Sequence, residues 1–133
     1  MGQAFILITK KQIIEEVNLE MSVRVSFYKN TLTACIEGDI DHHTAKEIRE
    51  TIDGYVEKYN PNVLEMDFSC VQFMDTSGIG LIMGRFKLMS AMGGKLKVVN
   101  VPKSLERMIK LSGLGTLGVF EKEEEKNYAK YNK

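Results

Sequence analysis

The chain has no surplus of either charge: 18 lysines and arginines stand against 18 aspartates and glutamates over 133 residues. Nothing is left over to neutralise the phosphates of nucleic acid or an anionic lipid surface, so neither nucleic acid nor membrane is expected as a partner. Cysteine is scarce. Cys35 and Cys70 lie far apart, each inside an apolar run, which speaks against a disulfide scaffold or zinc site and suits a reduced, cytoplasmic protein. Long hydrophobic runs are missing too. AFILI at residues 4–8 is far too short to cross a bilayer, and no basic segment precedes it as a signal peptide requires. There is no internal repeat.

What remains is ample apolar side chain, 44% of residues, for one domain with a real core. Val23, Val25 and Phe27 alternate, Tyr28-Lys29-Asn30 turn the chain, and Leu32, Ala34 and Ile36 alternate again, which predicts a β-hairpin. Ala45, Ile48, Ile52, Tyr55, Val56 and Tyr59 recur at helical spacing up to a stop at Asn60-Pro61. Val63, Leu64, Met66 and Phe68 predict a short strand in a sheet covered on both faces. A second helix is expected over 78–92, with Ile79, Ile82, Met83, Phe86 and Met89 or Ser90 on one side and Gly93-Gly94 as its left-handed end. Leu96, Val98 and Val99 form another strand. Pro102 then opens a third helix carrying Leu105, Met108 and Ile109, closed by Gly113.

Helices alternating with strands give an α/β domain over residues 21–120, with a small mixed, mostly parallel sheet. Residues 1–20 differ in character, Ile13, Ile14 and Val17 showing a weak helical spacing. Residues 121–133, EKEEEKNYAKYNK, read as a solvated helix or frayed tail.

Two segments carry the candidate chemistry. FMDTSGIG at 73–80 sets Thr76 and Ser77 between Asp75 and the pair Gly78, Gly80 at a strand-to-helix junction. Ser77 there is a helix cap, a nucleophile or a phosphate acceptor. A cap is the ordinary role of a hydroxyl in that place. A serine hydrolase needs a base, which His42 or His43 could supply, but the G-x-S-x-G elbow is absent, Asp75 replacing its first glycine. An aspartic protease signature is broken by an extra residue. The nucleotide-binding GxxxxGK[ST] loop is missing too, so no cofactor is expected. Covalent phosphate needs only the hydroxyl, because a kinase brings nucleotide, metal and base. Arg85, one or two turns further along, is expected to be solvated or at an interface.

The second segment is GDIDHHTA at 38–45. Asp39, Asp41, His42 and His43 have the atoms for a metal, yet adjacent histidines rarely point the same way and no distant ligand completes a set. Thr44-Ala45-Lys46-Glu47 fits a capping box, making residues 39–43 the turn into the first helix and no metal site. If the strand over 31–37 runs parallel to that over 63–68, both segments meet at one sheet edge.

FMDTSGIGLIMGRFK together with GDIDHHTA resembles the anti-sigma factor antagonist family, whose fold is the STAS domain, and its sporulation anti-sigma F branch above the general-stress branch. The similarity runs over about residues 21–120. It implies a small mixed sheet with helices on one side. It also implies a non-enzymatic switch: the unmodified protein binds an anti-sigma factor serine kinase and frees the sigma factor. The kinase phosphorylates the second hydroxyl of the pair, here Ser77, with Thr76 an alternative acceptor, and a serine phosphatase resets it. Asp39, Asp41, His42, His43, Asp75, Thr76, Ser77, Gly78, Ile79 and Gly80 would form the partner face. A stress-response or scaffold relative using another kinase is the alternative within the fold, and a small serine hydrolase is the distant one.

Residues 1–20 have no counterpart in that resemblance. Glu15-Glu16-Val17 can be encoded as GAGGAGGTG, which contains a ribosome-binding sequence upstream of Met21. Synthesis is therefore expected to begin at Met21. N-terminal sequencing of the native protein should read Met21 or Ser22 first; finding Gly2 or Gln3 there refutes the expectation.

Overall fold

The computed structural model describes residues 23–120 in full and the backbone of residues 4–8 and 14–18. The charged tail over 121–133 lies outside the described residues. In chain order the elements are β1 (Ala4–Ile8), β2 (Ile14–Asn18), β3 (Val23–Tyr28), β4 (Thr31–Ile40), α1 (His42–Tyr59), β5 (Val63–Met74), α2 (Thr76–Ala91), β6 (Lys95–Val99) and α3 (Lys103–Ser112), with a 3-10 turn at Leu114–Leu117. The expected hairpin is β3–β4. Its turn residues Lys29 and Asn30 both take positive φ, 48° and 63°, the mirror-image turn whose twist suits the strands it joins.

Among the described residues the sheet has six strands in sequence order. β4, β5 and β6 pair in parallel, while β1, β2, β3 and β4 pair antiparallel. The order advances in one direction through β4–β5–β6. Right-handed crossovers therefore send α1 and α2 to the same face. For the same reason the strand order has no reversal between β4 and β6, the place where open α/β sheets form a ligand crevice.

Residues 14–18 form a strand, not the weak helix their spacing suggests. Pairing with β3, Ile14 opposite Phe27 through Asn18 opposite Val23, decides this; a non-local ladder outweighs so faint a local preference. β5 is also longer than its apolar run, continuing through Ser69 and Cys70 to Met74, because β4 continues beside it with Gly38 opposite Val71 and Ile40 opposite Met74. Two register shifts in β4 and a positive φ of 93° at Gly38 accompany that extension. Such bulges break the plain alternation by which strands are read in sequence.

The core is one cluster. Leu32, Ile36, Leu64, Met66 and Phe68 from the sheet meet Ile48, Ile52 and Val56 of α1, Leu81, Ile82 and Met89 of α2, and Leu105 and Ile109 of α3. Phe27 and Tyr59 stack with ring centroids 4.9 Å apart, tying β3 to the end of α1. On α2 the buried stripe is Gly78, Leu81, Ile82, Arg85 and Met89. Ile79, Met83 and Phe86, expected on the same side as Ile82 and Met89, are half-buried. Among the described residues no helix is long and apolar enough to cross a membrane.

Phe68 is fully enclosed and Leu111 is 77% exposed. Phe68→Ala should cost about 3–5 kcal/mol in urea unfolding, whereas Leu111→Ala should cost less than about 0.5 kcal/mol.

Candidate functional site

Both motif segments lie where a parallel strand becomes a helix, and each junction is a single residue. β4 ends at Ile40 and α1 begins at His42; β5 ends at Met74 and α2 begins at Thr76. Asp41 and Asp75 fill the two gaps as N-caps. The Asp75 N–H donates to the Ile40 carbonyl at 3.0 Å, continuing the β4–β5 pairing one step beyond the strands. The two junctions are thus fastened side by side, as the parallel arrangement of the strands requires.

Asp75, not Ser77, caps α2. Its Oδ1 accepts the Ser77 N–H at 2.7 Å, and its carbonyl accepts the Gly78 N–H at 3.0 Å. Aspartate is as good an N-cap as serine and adds a negative charge where the helix dipole favours one. The two hydroxyls fall in the first turn. Thr76 is exposed and Ser77 half-buried. With the cap already filled, the Ser77 side chain is not needed to start the helix.

The first segment differs similarly from the expected Thr44–Glu47 box. Asp41 Oδ1 accepts from the backbone N–H of His43 (2.9 Å) and Thr44 (3.0 Å), while the Asp41 N–H donates to Thr44 Oγ1 at 2.8 Å. Thr44 Oγ1 also donates to the Asp39 carbonyl at 3.0 Å. The bond from the Thr44 N–H leads in holding the Asp41 carboxyl below the usual aspartate range, aided by His43 and the Thr44 hydroxyl. That cap is fully present above the ordinary aspartate value of 3.8 and is lost as pH falls through the lower folded value. His42 and His43 belong to the first turn of α1, exposed, their rings edge to face at 5.7 Å. Asp39 is exposed on β4. No group of three metal-ligating side chains is assembled among the described residues.

The two glycines have different duties. Gly78 is buried, and a Cβ placed there collides with Cγ and Sδ of Met74, itself 1% exposed. Gly80 is exposed with nothing within 4 Å of a Cβ. Ile79 between them is half-buried. Close packing explains the first, and a bare patch of surface is the result of the second.

Sequence reasoning missed two residues. Phe73, on the last turn of the strand ladder before Met74, is 55% exposed, an apolar ring at the same edge as both caps. Only the break in alternation after Val71 signals it. Arg85 was expected to be solvated or at an interface, yet it is 6% exposed. Its Nε lies 2.9 Å from Asp53 Oδ1 on α1, in poor alignment, so that Nε, Nη1 and that oxygen make no hydrogen bond. Burial pushes Arg85 below and Asp53 above their usual ranges, against their mutual attraction. Periodicity cannot reveal such a pair, because its partner comes from another helix.

Gly78→Ala should destabilise the domain by about 1–3 kcal/mol through overpacking. Gly80→Ala should be neutral or stabilise by up to about 1 kcal/mol. Paired urea titrations decide both.

Comparison with known proteins is consistent with this geometry. The STAS domain model matches residues 22–126. The anti-sigma F factor antagonist of Paenibacillus polymyxa is 29% identical over 72% of this chain and 82% of its own. The anti-sigma-B factor antagonist of Bacillus subtilis (strain 168) is 30% identical over 72% and 86%. Among solved structures, the anti-sigma factor antagonist SpoIIAA in its unphosphorylated form superposes with a TM-score of 0.66, at 25% identity over 80% of this chain and 94% of its own. The chain therefore belongs to the STAS domain family, among the anti-sigma factor antagonists.

Proposed function

We propose that this protein is a cytoplasmic, non-enzymatic switch in which Ser77 carries the signal. In the unmodified state the edge formed by Asp39, Asp41, His42, His43 and residues 75–80, with the exposed ring of Phe73, docks against an anti-sigma factor that is itself a serine kinase. Docking releases the sigma factor. The observation that carries this reading is the Asp75-to-Ile40 bond of 3.0 Å, which sets both motif segments on one face with Ser77 at its rim. SpoIIAA has been described in an unphosphorylated form, a distinction with meaning only for a protein that also takes up phosphate.

Charge explains the release. A phosphate brings about 1.5 to 2 negative charges to a residue whose backbone N–H already donates to the Asp75 carboxylate. The anion cannot take that cap position without displacing Asp75. It is directed outward instead, into the docking face, alongside Asp75 and close to the second acidic junction. Burying an uncompensated anion in an interface costs on the order of 4 kcal/mol, about a thousandfold in affinity. The helix dipole returns at most about 1 kcal/mol, so the modification changes binding and leaves the fold intact. A serine phosphatase then restores the docking state. The alternative reading is a stress-response relative that uses another kinase, since the anti-sigma-B antagonist is 30% identical to this chain and the anti-sigma F antagonist 29%.

Incubation with the kinase and ATP, followed by mass spectrometry, should place phosphate on Ser77. Ser77→Ala should keep binding and refuse phosphate. Ser77→Asp should bind at least about a hundredfold more weakly with an unchanged urea midpoint. Phosphorylation of Ser77→Ala at the wild-type rate would assign the acceptor to Thr76.

A further inference from the structure

The two ends of the sheet are protected differently. At one end β6, KLKVV, carries exposed Lys95 and Lys97. Its Val98 N–H donates to the Val119 carbonyl at 2.7 Å, and Phe120 makes a parallel bridge to Val98. Charge and partial cover are usual means by which a sheet edge is kept from joining another. At the other end β1, AFILI, has neither. It contains no charge and no proline, and it pairs with β2 in unbroken register from Ala4 opposite Asn18 to Ile8 opposite Ile14. Among the described residues its outer side is unpaired. The STAS match begins at residue 22, so β1 and β2 are additions to the matched domain.

Register shows that β1 does not extend the core. Residues directly opposite in an antiparallel ladder share a face. The face on which β3 buries Val23 and Val25 continues through Asn18, Glu16 and Ile14 of β2 to Ala4, Ile6 and Ile8 of β1. The opposite face runs from Arg24 and Ser26 through Val17 and Glu15 to Phe5 and Leu7. Glu15, Glu16 and Asn18 thus stand between the core and a strand that is apolar on both faces. Strands of that pattern belong where both faces are covered. At an edge, the open row of backbone N–H and C=O groups also invites another strand.

We propose that this edge pairs with a second copy of the chain, β1 against β1, antiparallel about a two-fold axis at Ile6. In that register Ile6 faces Ile6, Phe5 faces Leu7 and Ala4 faces Ile8, so apolar residues meet apolar residues throughout and no charge enters the ladder. An edge carrying lysines, such as β6, would set charge against apolar residues. The chain's own β1 does not. The pairing covers on the order of 500 Å² of apolar surface, short of the roughly 1,000 Å² of a lasting interface. The dimer is therefore weak and reversible. One pairing uses up the open edge, and the other edge is guarded, so assembly stops at two. An antiparallel ladder points the two docking edges, where β4 and β5 end, in opposite directions. Each copy then holds a regulator of its own, and pairing is independent of the charge on Ser77. A chain begun at Met21 lacks β1, so the start site decides whether the pairing exists.

Sedimentation equilibrium of the 133-residue chain from about 10 µM to about 1 mM should show the average mass rising from monomer toward dimer and no further. Ile6→Lys sets two lysines face to face on the axis and should raise the midpoint concentration at least about tenfold. That variant also loosens β1 from β2, so a second one reports position. In a Cys35→Ser, Cys70→Ser background, Ile6→Cys brings two thiols within disulfide range across the axis. Exchange with oxidised glutathione should then give a covalent dimer. Ala4→Cys, which faces Ile8, should give little. A monomer at every concentration, growth past the dimer, or equal cross-linking at residues 4 and 6 would each overturn the proposal. So would a monomer whose binding to the kinase is weakened by Ile6→Lys, which assigns the edge to that protein.

Discussion

The structure depends on the parallel pairing of β4 with β5 being carried one residue past the end of both strands. The bond from the Asp75 N–H to the Ile40 carbonyl forces two helices to begin at the same height on the same edge. Each start is sealed by an aspartate whose carboxylate accepts first-turn N–H groups. With a single residue at each junction, neither has the slack of an ordinary loop. Precision at this edge follows from the sheet, since the strands beneath are paired over most of their length and bury alternate residues in the core. A hydroxyl set in the first turn of α2 inherits that precision.

For the proposed switch, capping by aspartate has a consequence that capping by serine would lack. Were Ser77 the cap, modifying it would remove an acceptor that holds the helix start, and folding would be coupled to signalling. Asp75 carries that duty instead. In the proposed switch the hydroxyl gains or loses its charge while the helix stays in place. Burial of Gly78 against Met74 fixes the turn from beneath, and the absence of a side chain at Gly80 keeps the surface beside the hydroxyl low. On that proposal, stability and signalling fall to neighbouring residues of one helical turn.

The pair of Arg85 and Asp53 has the opposite economy. A well-packed apolar pair would hold α1 to α2 at least as firmly, since burial outweighs attraction for both charges. Asp53, raised by burial, contributes its stability below the ordinary aspartate value of 3.8, and that contribution is lost as pH rises through the folded value. Its 2.9 Å contact with Arg85 nonetheless ties α1 to α2 through charge.

Much of this protein was determined locally and could be read from the chain. Alternation in Val23–Phe27 and Leu32–Ile36, the turn at Lys29-Asn30, the stripe Ile48–Ile52–Val56 and the stop at Gly113 depend on near neighbours, and so does the placing of two hydroxyls between an acid and two glycines. Other features depend on partners distant in sequence. Ile14–Asn18 is a strand because β3 lies beside it, and β5 reaches Met74 because a bulged β4 keeps pace with it. Arg85 is buried because Asp53 faces it from another helix. The choice of Asp41 and Asp75 as caps was likewise settled by where the paired strands end. Sequence determined which residues could hold a charge, a turn or a core position; only the tertiary structure decided which of them meet, because backbone pairing and helix packing act between segments that periodicity treats one at a time.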